Sequence, residues 1–546
     1  MEPEIDSSTL AKGTVWTFAA QVLLKFFSFI YLIVVARLFS TEEIGIFYFV
    51  LSIVGFIVIF TDLGFSQSLP RYVPYLYSKG QKARVVYLLK VLFILGFFIS
   101  IAASFILLFL APYISSLLGK PELTPALQVL AFFPFVSELS ALLGGFLVGR
   151  KIIRDYQLVN SFQGIIKIIF TIIFGFIIAF NAVSLSLAYL ISFIPLIIGY
   201  AYFTLKDIRN FGKYEEDKSV TGRSFIFEVF SFGLILSLTA ALYVIASSTD
   251  RFMLGVLIKE NALEKVGIYS VVTTFAGLVL LPFSAIITIF LPMVSELFGK
   301  EKLDEIRKIT TVAIKWSIII GMPFLILLLS FSSFFLRVFY GESYVSGDNV
   351  LIVYLLSFAI FSLSLLPMKV IAAMRRLDIE LKIAVGCAIL NIILNFLFIP
   401  LWEMDGAAIA TFFSFLLMTI LAFYYSKRLF AFSFPLELLP PIFAGLVAFL
   451  ILYITRQNII EYISSLPLSI VMAHLGFLDT EILTKFVKLI FFGLLFLLSS
   501  VIYFVLLILS RSFGKEEVII VQKAMRRLKI PDNYIASFTR VLEGRI

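Results

Sequence analysis

Apolar residues run in long uninterrupted stretches along this chain, and each stretch ends in a short polar segment rich in Lys, Arg, Gly and Pro. Neither strict alternation nor a narrow apolar stripe accounts for runs of this length. A helix needs roughly 20 apolar residues to cross a bilayer. The runs predict about fourteen transmembrane helices, at 13–38, 44–66, 85–111, 123–149, 157–180, 183–205, 225–256, 266–296, 309–336, 348–373, 383–400, 406–426, 437–455 and 489–510. The less apolar stretch 457–488 reads as an interfacial helix on the outer surface. A membrane barrel is disfavoured, because its strands would alternate over about ten residues.

Loop charges orient these spans. With the N-terminus inside, the even-numbered loops carry 21 Lys and Arg, from Arg71 and Lys79 through Arg150, Lys151 and Arg154 to Lys427 and Arg428. The outer loops and their edges carry 8, and the tail from Arg511 onward adds 8 more inside. Cytoplasmic loops hold the excess of positive residues, so both termini are expected in the cytoplasm of a multi-pass cell-membrane protein. The acidic start before the first span lacks the basic, short-cored form of a cleavable signal, and that span is expected to be retained.

The chain also matches itself at an offset of 222 residues. Gly45-Ile46 falls on Gly267-Ile268, Leu69-Pro70 on Leu291-Pro292, Arg154 on Arg376, and Ser192-Phe193 on Ser414-Phe415. Six spans separate the copies, so both enter the membrane in the same direction, and transporters built this way place their site between the repeats. The expected fold is all-α. It has an N-terminal six-helix lobe (1–206), a cytoplasmic linker (207–223) and a C-terminal six-helix lobe (224–430) related to the first by pseudo-two-fold symmetry. Two further helices (431–510) and a basic cytoplasmic tail (511–546) follow.

Composition narrows the function. The chain is 61% hydrophobic and 14% charged over 546 residues, against roughly 45–50% and about 25% in soluble chains, so lipid is its main solvent. A net charge of +9 scattered among apolar runs marks membrane sidedness rather than nucleic-acid binding. One cysteine, Cys387, and one histidine, His474, exclude disulfide frameworks and Cys/His metal clusters. No Gly-Lys pair sits in a phosphate-binding loop, no loop is long enough to fold as a catalytic domain, and no cofactor is implied. The reading is of a monomeric transporter in membrane lipid rather than an enzyme.

Polar groups at membrane depth are expensive and by default functional. Lys25 lies mid-span with Gln21 one turn away; Lys167 shares a helix face with Asn160 and Gln163; Glu138 is central in the fourth span. Asp250 and Arg251 lie in the outer part of the seventh, and Asn391 and Asn395 are one turn apart in the eleventh. Glu138 could instead pair with a lysine as buried glue, and the asparagines could join helices. Ammonium groups at the midplane suit a water-filled cavity for an anionic headgroup such as phosphate or pyrophosphate. Pro134, Pro195, Pro282, Pro323 and Pro367 read as helix-interior kinks.

The strings TDRFMLG (249–255), VGIYSVV (266–272) and LPMVSELFGK (291–300) resemble the polysaccharide-export flippases of the Wzx type, as do LAKGTVW (10–16), ARLFSTEEIGIF (36–47) and DLGFSQSLPRYVP (62–74). These flippases share a superfamily with multidrug extruders and lipid II flippases. The resemblance implies a transporter that moves a lipid-linked oligosaccharide from the inner to the outer leaflet, beside other glycan-assembly enzymes. Two lobes would rock about a central cationic cavity, with Lys25, Lys167 and Arg251 as headgroup contacts and the last two helices beside the lipid tail. A multidrug or organic-cation extruder is the nearest alternative, and a membrane-embedded glycan polymerase or transferase a more distant one.

Overall fold

In the computed structural model the described backbone comprises 7–211, 248–465 and 480–510, with scattered residues of 228–237 and 512–539. It is built of helices, and no strand occurs among the described residues. Ten helical segments there are long and apolar enough to cross a membrane. The difference from fourteen has local reasons. The seventh span lies largely outside the described residues, as do the side chains of the early first and fourteenth spans. The eleventh and twelfth are continuous in one helix, Leu377–Phe430, broken at Glu403 (φ 50°, ψ −121°). The middle of the expected interfacial stretch, 466–479, also lies outside the described residues.

The first helices are α1 (Ser7–Leu38), α2 (Thr41–Asp62), α3 (Phe65–Ser78), α4 (Lys82–Leu117), α5 (Thr124–Leu130), α6 (Phe133–Gly149), α7 (Ile153–Ile177), α8 (Ala182–Ile191) and α9 (Phe193–Arg209). Ser40 caps α2 by accepting from the Glu43 backbone N–H at 3.2 Å, and Glu42 and Glu43 face the positive end of the helix dipole. Leu63 and Gly64 then adopt left-handed conformations (φ 45° and 83°), which end α2 and re-aim the chain into α3. Two prolines and scattered polar residues make this segment read as a loop, yet it buries Phe65, Leu69 and Val73 against Leu142 and Phe146 of α6 and Leu88 and Leu92 of α4.

Arg150 closes the far end of α6. Its guanidinium donates to both Asp207 oxygens, at 2.6 and 3.3 Å, and lies 3.5 Å over the Tyr77 ring. Burial pushes the Arg150 pKa down, and the hydrogen bond and charge of Asp207 outweigh that and leave it raised.

The later helices are α10 (Ala262–Ala276), α11 (Leu281–Gly299), α12 (Leu303–Ser330), α13 (Ser332–Phe339), α14 (Asp348–Ala373), α15 (Leu377–Phe430), α16 (Leu439–Ser465) and α17 (Thr480–Leu509). Three of the five expected kink prolines mark breaks within their spans, where a new helix starts. Pro134 and Pro282 occupy the first turns of α6 and α11, and Pro195 the first turn of α9. A proline lacks the N–H that interior positions must donate, whereas the first turn leaves that group unused. Pro323 and Pro367 do lie inside α12 and α14.

The chain divides into two compact units, 1–275 with 380–414, and 276–379 with 415–546. In the second, Ile314, Ile318, Leu366 and Phe430 form one apolar core, and Ile319, Ile326, Ala448 and Tyr503 another.

Within the first unit, positions related by the offset of 222 touch each other. A Cβ built on Gly45 would fall 1.6 Å from the Leu263 carbonyl oxygen, and one on Gly267 would fall 1.9 Å from that of Thr41. Only glycine permits so close an approach of two backbones. Thr41 corresponds to Leu263 and Gly45 to Gly267, so the crossing of α2 and α10 is reciprocal, the pattern a two-fold axis between copies produces. A second correspondence lies beside it. Glu43 accepts from the backbone N–H of Ala182 at 2.6 Å, and Lys265, its counterpart, pairs at 2.6 Å with Glu403, the counterpart of Asn181.

Candidate functional site

α7 carries a polar stripe, Tyr156, Asn160, Gln163 and Lys167, at spacings that keep all four on one face. Its first three members border a cleft of about 370 Å³ shared with α3, α6 and α9. One turn further on, the Lys167 ammonium lies 3.9 Å from the centroid of the Tyr31 ring and 5.7 Å from that of Tyr189. Lys167 is half-buried, and no carboxylate pairs with it among the described residues. Tyr48 lies within electrostatic reach of Tyr31 and carries the Arg251 guanidinium 5.2 Å from its own ring centroid. Two cations from α7 and from helical residues 248–257 are thus set among three tyrosines of α1, α2 and α8. A cation over an aromatic face is held by the ring quadrupole without being neutralised, so its charge stays available to a third group.

The three tyrosines are the residues that reading the chain missed. Their signal was present: tyrosine gathers at membrane interfaces, and all three belong to apolar helices where a plain hydrophobe would pack as well.

Asp250 and its neighbour Arg251 part company. The Asp250 carboxylate, 2% exposed, accepts from Tyr269 Oη, Thr411 Oγ1 and Asn395 Nδ2, each at 2.7 Å. Asn395 also donates to Asn391 Oδ1 at 3.0 Å, and Asn391 to Thr411 at 3.3 Å. The structure therefore brings Asp250, Asn391 and Asn395 together and adds Tyr269 and Thr411. Carboxylate, amide and hydroxyl oxygens are ligands for hard cations, while no group of three or more His, Cys, Asp or Glu able to hold a metal occurs among the described residues. With these hydrogen bonds made, the network welds residues 248–257 to α10 and α15. Asp250→Ala strands three buried donors at roughly 1–3 kcal/mol each. A clear fall in melting temperature is expected in detergent, with a smaller fall for Asp250→Asn.

Glu138 stands apart from both clusters. It is 2% exposed, packed on α4 with Oε1 2.8 Å from a Cβ built on Gly96, and Oε1 has no hydrogen-bond partner among the described residues. It pairs with neither Lys25 nor Lys167. Lys25 is exposed on α1, and the Gln21 side chain lies outside the described residues. The second unit contributes an apolar pocket of about 160 Å³ bordered by Phe283, Gly321, Met322, Leu363 and Ile442, a lining suited to hydrocarbon.

The family model described as polysaccharide biosynthesis protein matches residues 10–298, and the MatE model matches 236–397. The chain is 25% identical over 447 residues to an uncharacterized membrane protein of Methanocaldococcus jannaschii, covering 77% of this chain and 84% of that one. It is also 25% identical over 425 residues to the capsular polysaccharide biosynthesis protein CapF of Staphylococcus aureus, covering 77% of this chain and 100% of CapF. The fold superposes on the lipid II flippase MurJ in an inward closed conformation with a TM-score of 0.63 at 15% identity, over 90% of this chain and 99% of that one. With more than half of its length matched, the chain belongs to the polysaccharide biosynthesis protein family, among the multi-pass membrane transporters of the multidrug, oligosaccharidyl-lipid and polysaccharide exporter superfamily.

Proposed function

We propose that this transporter flips a lipid-(pyro)phosphate-linked oligosaccharide from the cytoplasmic to the outer leaflet, without catalysing a covalent step. Residues 1–206 and 224–430 act as lobes that alternate access. The observation that carries the reading is Lys167, a charge at mid-span held on tyrosine rings and paired with no carboxylate among the described residues. Ammonium groups so placed are costly unless a counter-charge visits them, and a phosphate does so while its lipid tail stays in hydrocarbon. Arg251 supplies a second positive charge, and the apolar pocket of the second unit suits part of the tail. The likeness to CapF, a capsular polysaccharide biosynthesis protein, agrees with a glycan cargo.

The test uses liposomes holding the purified protein and a fluorescent polyprenyl-diphosphate oligosaccharide. The fraction of label open to an external quencher should rise with protein content. Equal fractions in protein-free liposomes, under membrane voltage of either sign, would overturn the proposal. The MatE match favours a second reading, extrusion of organic cations. Lys167 and Arg251 repel such cargo, and the same vesicles should not accumulate ethidium.

A further inference from the structure

The cleft beside Lys167 has a chemistry unlike that of the cation cluster. None of the residues that border it is charged. Its polar wall is Gln67 from α3, Asn160 and Gln163 from α7, and the hydroxyls of Ser66 and Ser140. The side-chain amides of Gln67, Asn160 and Gln163 have no hydrogen-bond partner among the described residues, so six donors and three carbonyl oxygens are available to a ligand. Two rings also line the cleft, Tyr156 on the same face of α7 as the amides and Tyr200 on α9. Tyr156 and Tyr200 are stacked, with centroids 5.2 Å apart and planes at 19°. The floor is glycine: a Cβ on Gly144 would come within 3.1 Å of the Tyr156 ring and 3.3 Å of the Tyr200 ring, and one on Gly145 within 2.7 Å of the Ser66 carbonyl oxygen. The missing side chains let α6 pack closely under the two rings and against α3.

A volume of about 370 Å³ falls in the range of roughly 300–1,000 Å³ common to small-ligand sites. Without charge, the wall gives no preference to a phosphate or to a cation. Amides that both donate and accept, beside flat rings, match a molecule with hydroxyls around its edge and C–H bonds on its faces. That molecule is a neutral sugar ring.

Position adds to chemistry. Gln163 precedes Lys167 by four residues, about 6 Å along the helix, so a ligand in the cleft adjoins one at the ammonium. The cleft lies on the side of Lys167 toward Arg150, Lys151 and Arg154, the basic loop that marks the cytoplasm. A headgroup in the inner leaflet presents its sugars on the cytoplasmic side of its phosphates, and cleft and ammonium follow that order.

We propose that this cleft is the glycan-recognition subsite of the transporter and that it selects carriers whose sugar nearest the phosphate is uncharged, a hexose or N-acetylhexosamine rather than a uronic acid. The inference rests on the headgroup reading given above. The test measures binding of three probes to the purified protein in nanodiscs: bare polyprenyl diphosphate, the same lipid carrying one N-acetylhexosamine, and the same lipid carrying one uronic acid. The wild type should bind the N-acetylhexosamine lipid about tenfold more tightly than the bare diphosphate, as two or so new hydrogen bonds allow, and the uronic acid lipid no more tightly than the bare one. The Asn160→Leu/Gln163→Leu variant should reduce that tenfold ratio to near one. Equal affinity of the wild type for the two glycosylated lipids, or for bare and glycosylated lipid, overturns the subsite while leaving the headgroup reading intact. Absence of binding to any of the three overturns both.

Discussion

Alanine at Gly45 or Gly267 is expected to abolish transport and to lower the melting temperature. The new methyl group would sit 1.6 Å from one carbonyl oxygen or 1.9 Å from the other, and the obstacle is backbone, which cannot rotate aside as a flexible side chain does. The crossing of α2 and α10 must therefore open by more than an ångström, and the Thr41–Glu264 hydrogen bond beside it, already 3.4 Å long, would be lost. Overpacking of this kind costs about 1–3 kcal/mol, and more where the neighbour is rigid. The checks are thermal unfolding in detergent and the liposome assay. Single alanine variants with wild-type melting and flipping would show that the two backbones are not in register as described.

Methionine at Lys167 is the contrasting case. The side chain is half-buried on Tyr31 with no carboxylate to strand, so Lys167→Met should melt within a degree or two of the wild type. A hydrogen bond to a charged group contributes about 1.5–3 kcal/mol, so flipping of the diphosphate-linked oligosaccharide should fall by roughly tenfold or more, and further for Lys167→Glu. Rates equal to wild type in Lys167→Met would remove the ground for an anionic cargo. A variant that fails to fold would assign Lys167 a packing role instead. Melting and flipping are measured on the same preparation to separate these outcomes.

The spans were legible because lipid imposes a length on every apolar run, and the repeat because glycine, proline and arginine recur at a fixed offset. What the chain could not disclose is the direction in which each side chain leaves its helix. Asp250 and Arg251 are adjacent in sequence, yet neighbours on a helix point about 100° apart. One enters a hydrogen-bonded network and the other a cluster of rings. Asn391 and Asn395, one turn apart, do act together, as their spacing foretold. Glu138 has the same depth signal as Lys167, and packs against a glycine of α4. The helix α3 was hidden by its own composition: Pro70, Pro74 and a scatter of polar residues look like a loop until its apolar face meets α6. Depth can be read from hydropathy, but partners come from tertiary packing.

The paired contacts at positions 43 and 265 have an outcome for the transporter in brine. Glu43 holds its copy together through a partly shielded peptide N–H, whereas Lys265 relies on a carboxylate that is 49% exposed. Dissolved ions weaken attraction between wet charges far more than they weaken a sheltered amide bond. The same rise in salinity would therefore loosen the contact between α10 and the break in α15 and leave the one between α2 and α8 in place, so that two equivalent positions within one unit answer salt differently.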